Sequence, residues 1–86
     1  MSSDNGSVLV QLGDVLLSKG QWAEAAEAYQ KALSKGGLKR EADARLNCGI
    51  ALRNAKQVDQ AKTMLQSVAG DPSAVQMAKL WILMMK

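Results

Sequence analysis

The fold is indicated most clearly by residues 9–33, LVQLGDVLLSKGQWAEAAEAYQKAL. Their pattern recurs at a constant offset of 36 positions in residues 45–69, RLNCGIALRNAKQVDQAKTMLQSVA. The matched positions are Leu12 and Cys48, Gly13 and Gly49, Leu16 and Leu52, Trp22 and Val58, Ala25 and Ala61, Tyr29 and Leu65, and Ala32 and Val68. A repeat at this period indicates supersecondary units stacked into a quasi-linear array. Such an array typically presents a surface to other molecules and does not enclose a reaction.

The composition favours helices. The chain has 86 residues, which is one small domain near the lower limit for a self-sufficient core. Apolar residues make up 48% of it, but the aromatic residues are only Trp22, Trp81 and Tyr29. Ala, Leu, Lys and Gln are abundant, and these residues lose little rotamer freedom in a helix. We therefore predict an all-α protein.

Helical periodicity and stop signals divide the chain into five predicted helices. They span about residues 7–19, 22–35, 40–54, 58–68 and 72–85. Ser7 is a candidate N-cap of the first helix, and Gly20 ends that helix. Asp71 is a candidate N-cap of the fifth, with Pro72 at the first helical position, where a missing N–H has no consequence. The pattern predicts two antiparallel helix pairs followed by one extra helix.

The predicted domain organisation follows from these boundaries. Residues 1–6 carry no apolar pattern, and we expect a disordered leader there, either native or a fragment end. Residues 7–86 form a single domain. Its first repeat covers about 7–38, its second about 40–71, and its terminal helix about 72–85.

The repeated pattern resembles the tetratricopeptide repeat (TPR) family. That family's signature runs an aromatic residue, Leu-Gly, a second aromatic, Gly, an aromatic, Ala, an aromatic and Ala, with a closing Pro. The first unit matches it at Leu12-Gly13, Gly20, Trp22, Ala25, Tyr29 and Ala32, and the second at Gly49, Ala61 and Pro72. The Gly36-Gly37-Leu38 turn is also similar to the last repeats of longer bacterial members. The resemblance implies a two-repeat, bacterial-type α–α superhelix with a C-terminal capping helix.

The matched residue types have a packing reason. Gly13 and Gly49 lack side chains, so a partner helix can approach closely, and we expect Ala25 and Ala61 to allow the same approach from the other side. A helical glycine lowers helix propensity by roughly 1 kcal/mol relative to alanine, so its recurrence indicates a packing requirement. The chain departs from the family where Leu9 and Arg45 replace a large aromatic, and where Leu16 and Leu52 replace another. The two extra residues of the 36-residue period fit the loop at 36–41.

The resemblance implies a non-enzymatic protein-interaction module that binds a peptide or protein segment in a concave groove. The groove would be lined by Val10, Asp14, Leu17, Leu46, Asn47, Ile50, Arg53 and Asn54. An alternative is that some of these residues pack against the fifth helix. A specialised clamp for a partner's C-terminal carboxylate is not expected, because its Lys and Asn positions fall on Val10 and Asp14. Asn47 matches another element of that clamp.

The fifth helix is apolar almost all round, with only Gln76 and Lys79 polar between residues 74 and 85. A terminal capping helix needs a polar outer face, so we expect this one to contact a second molecule, most simply as a homodimer. The expected self-association residues are Met77, Leu80, Trp81 and Met84. The alternative is that further repeats precede or follow this segment in a longer protein.

Other function classes have little support. The chain has no His and one Cys, so we expect no catalytic residues, no metal site and no cofactor. A nucleic-acid-binding helical domain and a structural segment of a larger scaffold remain alternatives. The net charge of +3 is mild, and Lys35, Lys39 and Arg40 are its only basic cluster, so we expect no nucleic-acid partner. No apolar run spans a membrane. If the chain is complete, we expect a cytoplasmic protein; for a fragment the location stays open.

Overall fold

The computed structural model describes residues 5–36, 38 and 40–85. In order, its helices are α1 (Asn5–Ser18), α2 (Trp22–Lys35), α3 (Glu41–Asn54), α4 (Val58–Gln66) and α5 (Pro72–Met84). No strand occurs within these described residues. The prediction of an all-α protein is confirmed.

The first helix begins earlier than the sequence predicts. Ser7 lies inside α1 and is therefore not its N-cap, and Gly6 is a buried helical residue and not part of a leader. The reason lies in the α2–α3 connection, where the half-buried Leu38 folds back over α1. A Cβ atom on Gly6 would lie 2.7 Å from Cδ2 of Leu38. Residues 1–4 of the predicted leader, and Gly37 of the predicted turn, fall outside the described residues.

The fourth helix is two residues shorter than predicted. It ends at Gln66, because the amides of Ser67 and Val68 bond to the carbonyls three residues back, of Met64 and Leu65, at 3.0 and 3.2 Å. This tightened turn replaces a continued α-helix. Val68 stays buried, so its predicted place in the core is retained. The other predicted boundaries of α2, α3 and α5 agree with the structure within one residue.

The 36-residue repeat is visible in the backbone hydrogen bonds. The amide of Gln21 donates to the carbonyl of Leu16 at 2.9 Å, and the amide of Gln57 donates to that of Leu52 at the same distance. The residues before them, Gly20 and Lys56, adopt φ of 78° and 69°. These are the bonds and the left-handed residue of a Schellman motif, so α1 and α3 end in the same way.

Close approach at the two helical glycines is confirmed. A Cβ atom on Gly13 would lie 2.9 Å from Cε1 of Tyr29, and one on Gly49 would lie 2.5 Å from Cδ2 of Leu65. Ala25 and Ala61 are fully buried, as their places in the pattern predict. Each pair thus nests a large side chain from its second helix into the gap left by a glycine of its first.

The helices form an elongated array. Pairs α1–α2 and α3–α4 stack through α2 and α3, and α5 packs against both α3 and α4. The principal extents are 44 × 27 × 18 Å. In the described part of the chain α1 and α5 do not touch, so they lie at opposite ends of the array.

Arg45 explains a departure from the expected pattern. Its guanidinium donates to the Glu41 carboxylate at 2.7 Å and to the Ser67 hydroxyl at 2.9 Å. A half-buried arginine therefore links α3 to the end of α4 at a position where the sequence pattern leads one to expect an aromatic side chain. The long apolar stem of arginine can cover apolar surface while its head stays hydrated.

Candidate functional site: the concave face

The eight predicted groove residues remain accessible to solvent. Asp14 is exposed and the other seven are half-buried, so none is lost to the core. On α3 they occupy the side opposite Arg45, Cys48 and Leu52, because a helix turns by 3.6 residues. Within the described residues, α3 contacts both α1 and α5.

We call the surface formed by the eight predicted groove residues the concave face, and the buried Tyr29 lies beneath it. Its side chain is fully buried against Gly13, and its hydroxyl donates a hydrogen bond to Oδ1 of the exposed Asp14. The pKa of Tyr29 is raised, first by burial and then by the neighbouring Asp14 carboxylate, while Asn47 on α3 acts on it in the opposite direction. Asp14 and Asn47, predicted as separate groove residues, are therefore brought to the same hydroxyl. The hydroxyl stays protonated at neutral pH and fixes the carboxylate in place.

Apolar residues form the floor around this polar centre. Val10, Leu17 and Leu46 are partly buried and pack against the hydrophobic core. Ile50 is half-buried on the same side of α3. Val10 also lines a cavity of about 250 Å³ with Ser7, Gln11, Leu38 and Arg40. The floor is therefore apolar, and only part of each side chain is available to a ligand.

Arg53 has a structural partner. Its guanidinium carbon lies 5.0 Å from the ring centroid of Trp81 on α5, which is the geometry of a cation–π contact. The guanidinium also donates to the side-chain oxygen of Asn54 at 3.1 Å. The alternative that some groove residues pack against the fifth helix therefore holds for Arg53. Sequence reasoning missed this contact because it joins α3 to a helix outside the repeated pattern.

The four residues expected for self-association divide into two groups. Met77, Leu80 and Met84 are exposed by 46%, 48% and 62%. Trp81 instead is half-buried, packs against the core and lies under Arg53. Leu83, which sequence reasoning did not select, is 75% exposed. The outer surface of α5 is therefore apolar without Trp81.

The larger cavities lie away from the concave face. One of about 690 Å³ sits between the α2–α3 and α4–α5 connections, and one of about 440 Å³ lies between α2, α3 and α4. Gln60 and Thr63 of α4 line the second. Neither of these two cavities includes a residue of the concave face, so the face suits an extended segment better than a compact small molecule.

Cys48 is buried and unreactive in character. Its thiol makes a weak contact of 3.7 Å with the carbonyl oxygen of Ala26, and burial raises its pKa to about 11. A reactive thiol needs the opposite shift. Among the described residues, no three His, Cys, Asp or Glu side chains converge to hold a metal ion. None of the described helices is both long and apolar enough to cross a bilayer.

Comparison with known proteins identifies the family. A family model described as "Tetratricopeptide repeat" matches residues 16–80, about three quarters of the chain. Neither a curated protein nor a solved structure matches. The match includes the last turn of α1, all of α2, α3 and α4, and α5 as far as Leu80. The helix order and the repeated Schellman ends agree with it. The chain belongs to the tetratricopeptide repeat family.

Proposed function

We propose that this protein is a non-enzymatic interaction module that binds a peptide or protein segment on its concave face. Members of the family generally act as scaffolds that mediate protein–protein interaction. The observation that carries the proposal is the fixed polar centre on an accessible apolar floor. Tyr29 holds Asp14 in one position at the surface, with Asn47 beside it.

The concave face offers complementary polar groups at two places. The Asp14 carboxylate accepts one hydrogen bond from Tyr29 and has further acceptor capacity for N–H donors of a partner. The Arg53 guanidinium donates to Asn54 and has further N–H groups for carboxylates or carbonyls. The best ligand is therefore an extended segment with an apolar side chain between a basic and an acidic group. With one cation and one anion among its eight residues, this face suits a polypeptide better than nucleic acid.

Selection from a library of displayed random peptides tests this proposal. We expect peptides of this charge order to be enriched, and Asn47→Ala to weaken their binding by about tenfold, as loss of one good polar contact predicts. Gln60→Ala on α4 is the matched control, since it removes the same amide from an exposed helical position away from the concave face. Equal loss in both variants, or no enrichment at all, would contradict the proposal.

We further propose that the protein self-associates through α5. The support is the run of exposed Met77, Leu80, Leu83 and Met84 on a terminal helix, where an array normally needs a polar surface. Size-exclusion chromatography with light scattering tests it. A mass above that of the monomer at high micromolar concentration is expected, and a strict monomer contradicts self-association without affecting the peptide-binding proposal.

A further inference from the structure

Large exposed apolar side chains occur at both ends of the array. In the described part of the chain, the seven that are exposed all lie on α1 or α5, and none lies on α2, α3 or α4. Sequence reasoning identified the surface of α5 but not that of α1. The three middle helices bury their large apolar side chains within the chain, so the exposed ones are confined to the two terminal helices.

On each of these two helices, the exposed apolar side chains form one patch. The α1 patch consists of Val8, Leu12 and Val15, spaced by four and three residues and exposed by 63%, 47% and 50%. The α5 patch consists of Met77, Leu80, Leu83 and Met84. Spacings of three and four residues place side chains on one face of a helix. Both patches are thus continuous apolar stripes of the kind that helices bury against other helices.

The positions of the patches decide which pairing covers them. Because α1 and α5 do not touch, a symmetric dimer built on the α5 patch alone leaves the α1 patch in water. A contact between the α5 patch of one copy and the α1 patch of another covers both kinds of surface. Charge also favours the mixed pairing: Asp14 is the only charged residue of α1 and Lys79 the only one of α5. Asp14 and Lys79 lie beside the patches, on other faces of their helices, so this preference acts around the contact and not within it.

We propose that copies of this chain associate head to tail, with the α5 patch of one copy packed on the α1 patch of the next. This inference rests on the self-association proposed above and specifies its geometry. A heterologous contact leaves one free patch at each end, so the assembly can grow beyond a dimer unless it closes into a ring. The concave faces of successive copies would remain open to peptides.

Two complementary variants test the geometry. Leu12→Lys places a charge at the centre of the α1 patch, and Leu80→Lys places one at the centre of the α5 patch. Both positions are about half exposed, so the monomer can accommodate the ammonium group, and thermal unfolding checks this. If either variant unfolds, Val8→Lys and Leu83→Lys replace them at the more exposed positions. Masses are measured by sedimentation equilibrium for the wild type, each variant alone and their equimolar mixture.

The expected result is complementation. Each variant alone should associate at least about tenfold more weakly than the wild type, because its own contact would bury a charge. The mixture should form a dimer that does not grow, since it contains one intact α5 patch and one intact α1 patch. A Leu12→Lys variant that still dimerises alone, or a mixture that stays monomeric, overturns the head-to-tail geometry. A monomeric wild type overturns self-association itself.

Discussion

At the scale of single residues, the fold depends on glycines that sit beside large side chains. Gly49 lies in the middle of α3, where alanine would be favoured by roughly 1 kcal/mol of helix propensity. The space that an alanine methyl group would fill is occupied by Leu65, since Cγ and Cδ2 of Leu65 lie 2.6 and 2.5 Å from the ideal Cβ position. Gly49→Ala should therefore lower the free energy of unfolding by about 1–3 kcal/mol, as overpacking typically does. Urea denaturation measures this.

The same substitution in a Leu65→Ala background provides the control. With the leucine removed, the new methyl group has room, and Gly49→Ala should become stabilising by up to about 1 kcal/mol. A change of sign between the two backgrounds identifies the contact with Leu65 as the cause. If Gly49→Ala has the same effect in both, the glycine is not there for packing.

At the scale of the elements, the ends of α1 and α3 share one backbone conformation but not one residue type. The left-handed position is Gly20 in the first unit and Lys56 in the second, and Lys56 is the one described non-glycine residue with positive φ. The left-handed conformation is about 1–2 kcal/mol less favourable for a residue with a Cβ atom. Glycine avoids most of this strain, although it loses more conformational entropy on folding. Lys56→Gly should raise the free energy of unfolding by about 0.5–1 kcal/mol.

Thermal or urea unfolding of Lys56→Gly checks this, with Lys56→Ala as the comparison. Both variants lose the exposed charge, and only glycine relieves the backbone strain. Equal stability of the two variants would show that the turn does not impose left-handed geometry at this position in solution.

The elements were predictable wherever local signals were strong. The sequence predicts the end of α1 at Gly20 and the start of α5 at Asp71-Pro72. In the structure, Gly20 is the left-handed residue of the Schellman motif, and the Asp71 carboxylate accepts a hydrogen bond from the amide of Ser73 at 3.0 Å. The early start of α1 could not be predicted, because it depends on Leu38, which reaches over Gly6 from a distant loop. The end of α4 was missed for a related reason: Val68 continues the apolar pattern after the backbone has left the helix.

At the scale of the whole molecule, the family and the fold follow from the repeat, but the concave face does so only in part. The repeat predicts that the eight groove residues share one side, and all eight remain accessible to solvent. The role of Tyr29 and the contact of Arg53 with Trp81 are tertiary features with no local signature. The apolar stripe on α1 was also missed, because the same leucines and valines are expected in any helix that packs on its neighbour.

Stability should fall at alkaline pH. Burial raises the pKa of Cys48 from 9.0 to about 11, so between these values the unfolded chain loses a proton that the native chain keeps. The free energy of unfolding is unaffected below pH 9 by this group and decreases as pH rises toward 11, with a slope of up to about 1.4 kcal/mol per pH unit. Tyr29, whose pKa is also raised by burial and by Asp14, adds to the loss above pH 10.

Urea denaturation of the wild type and Cys48→Ala at several pH values between 8 and 10.5 measures this loss. The alanine variant should be less stable at neutral pH because a buried side chain is truncated, but its stability should decrease less steeply above pH 9. Parallel pH profiles would show that the Cys48 thiol titrates normally in the native protein.

The proposed function requires that the side of the array formed by α1 and α3 binds another polypeptide. The most direct measurement is amide chemical-shift mapping of the isotopically labelled chain, titrated with the peptide that selection yields. The largest changes should fall around Asp14, Asn47 and Ile50, and Gln60 and Thr63 on α4 should be unaffected. Changes concentrated on α4 with the concave face unmoved would contradict it.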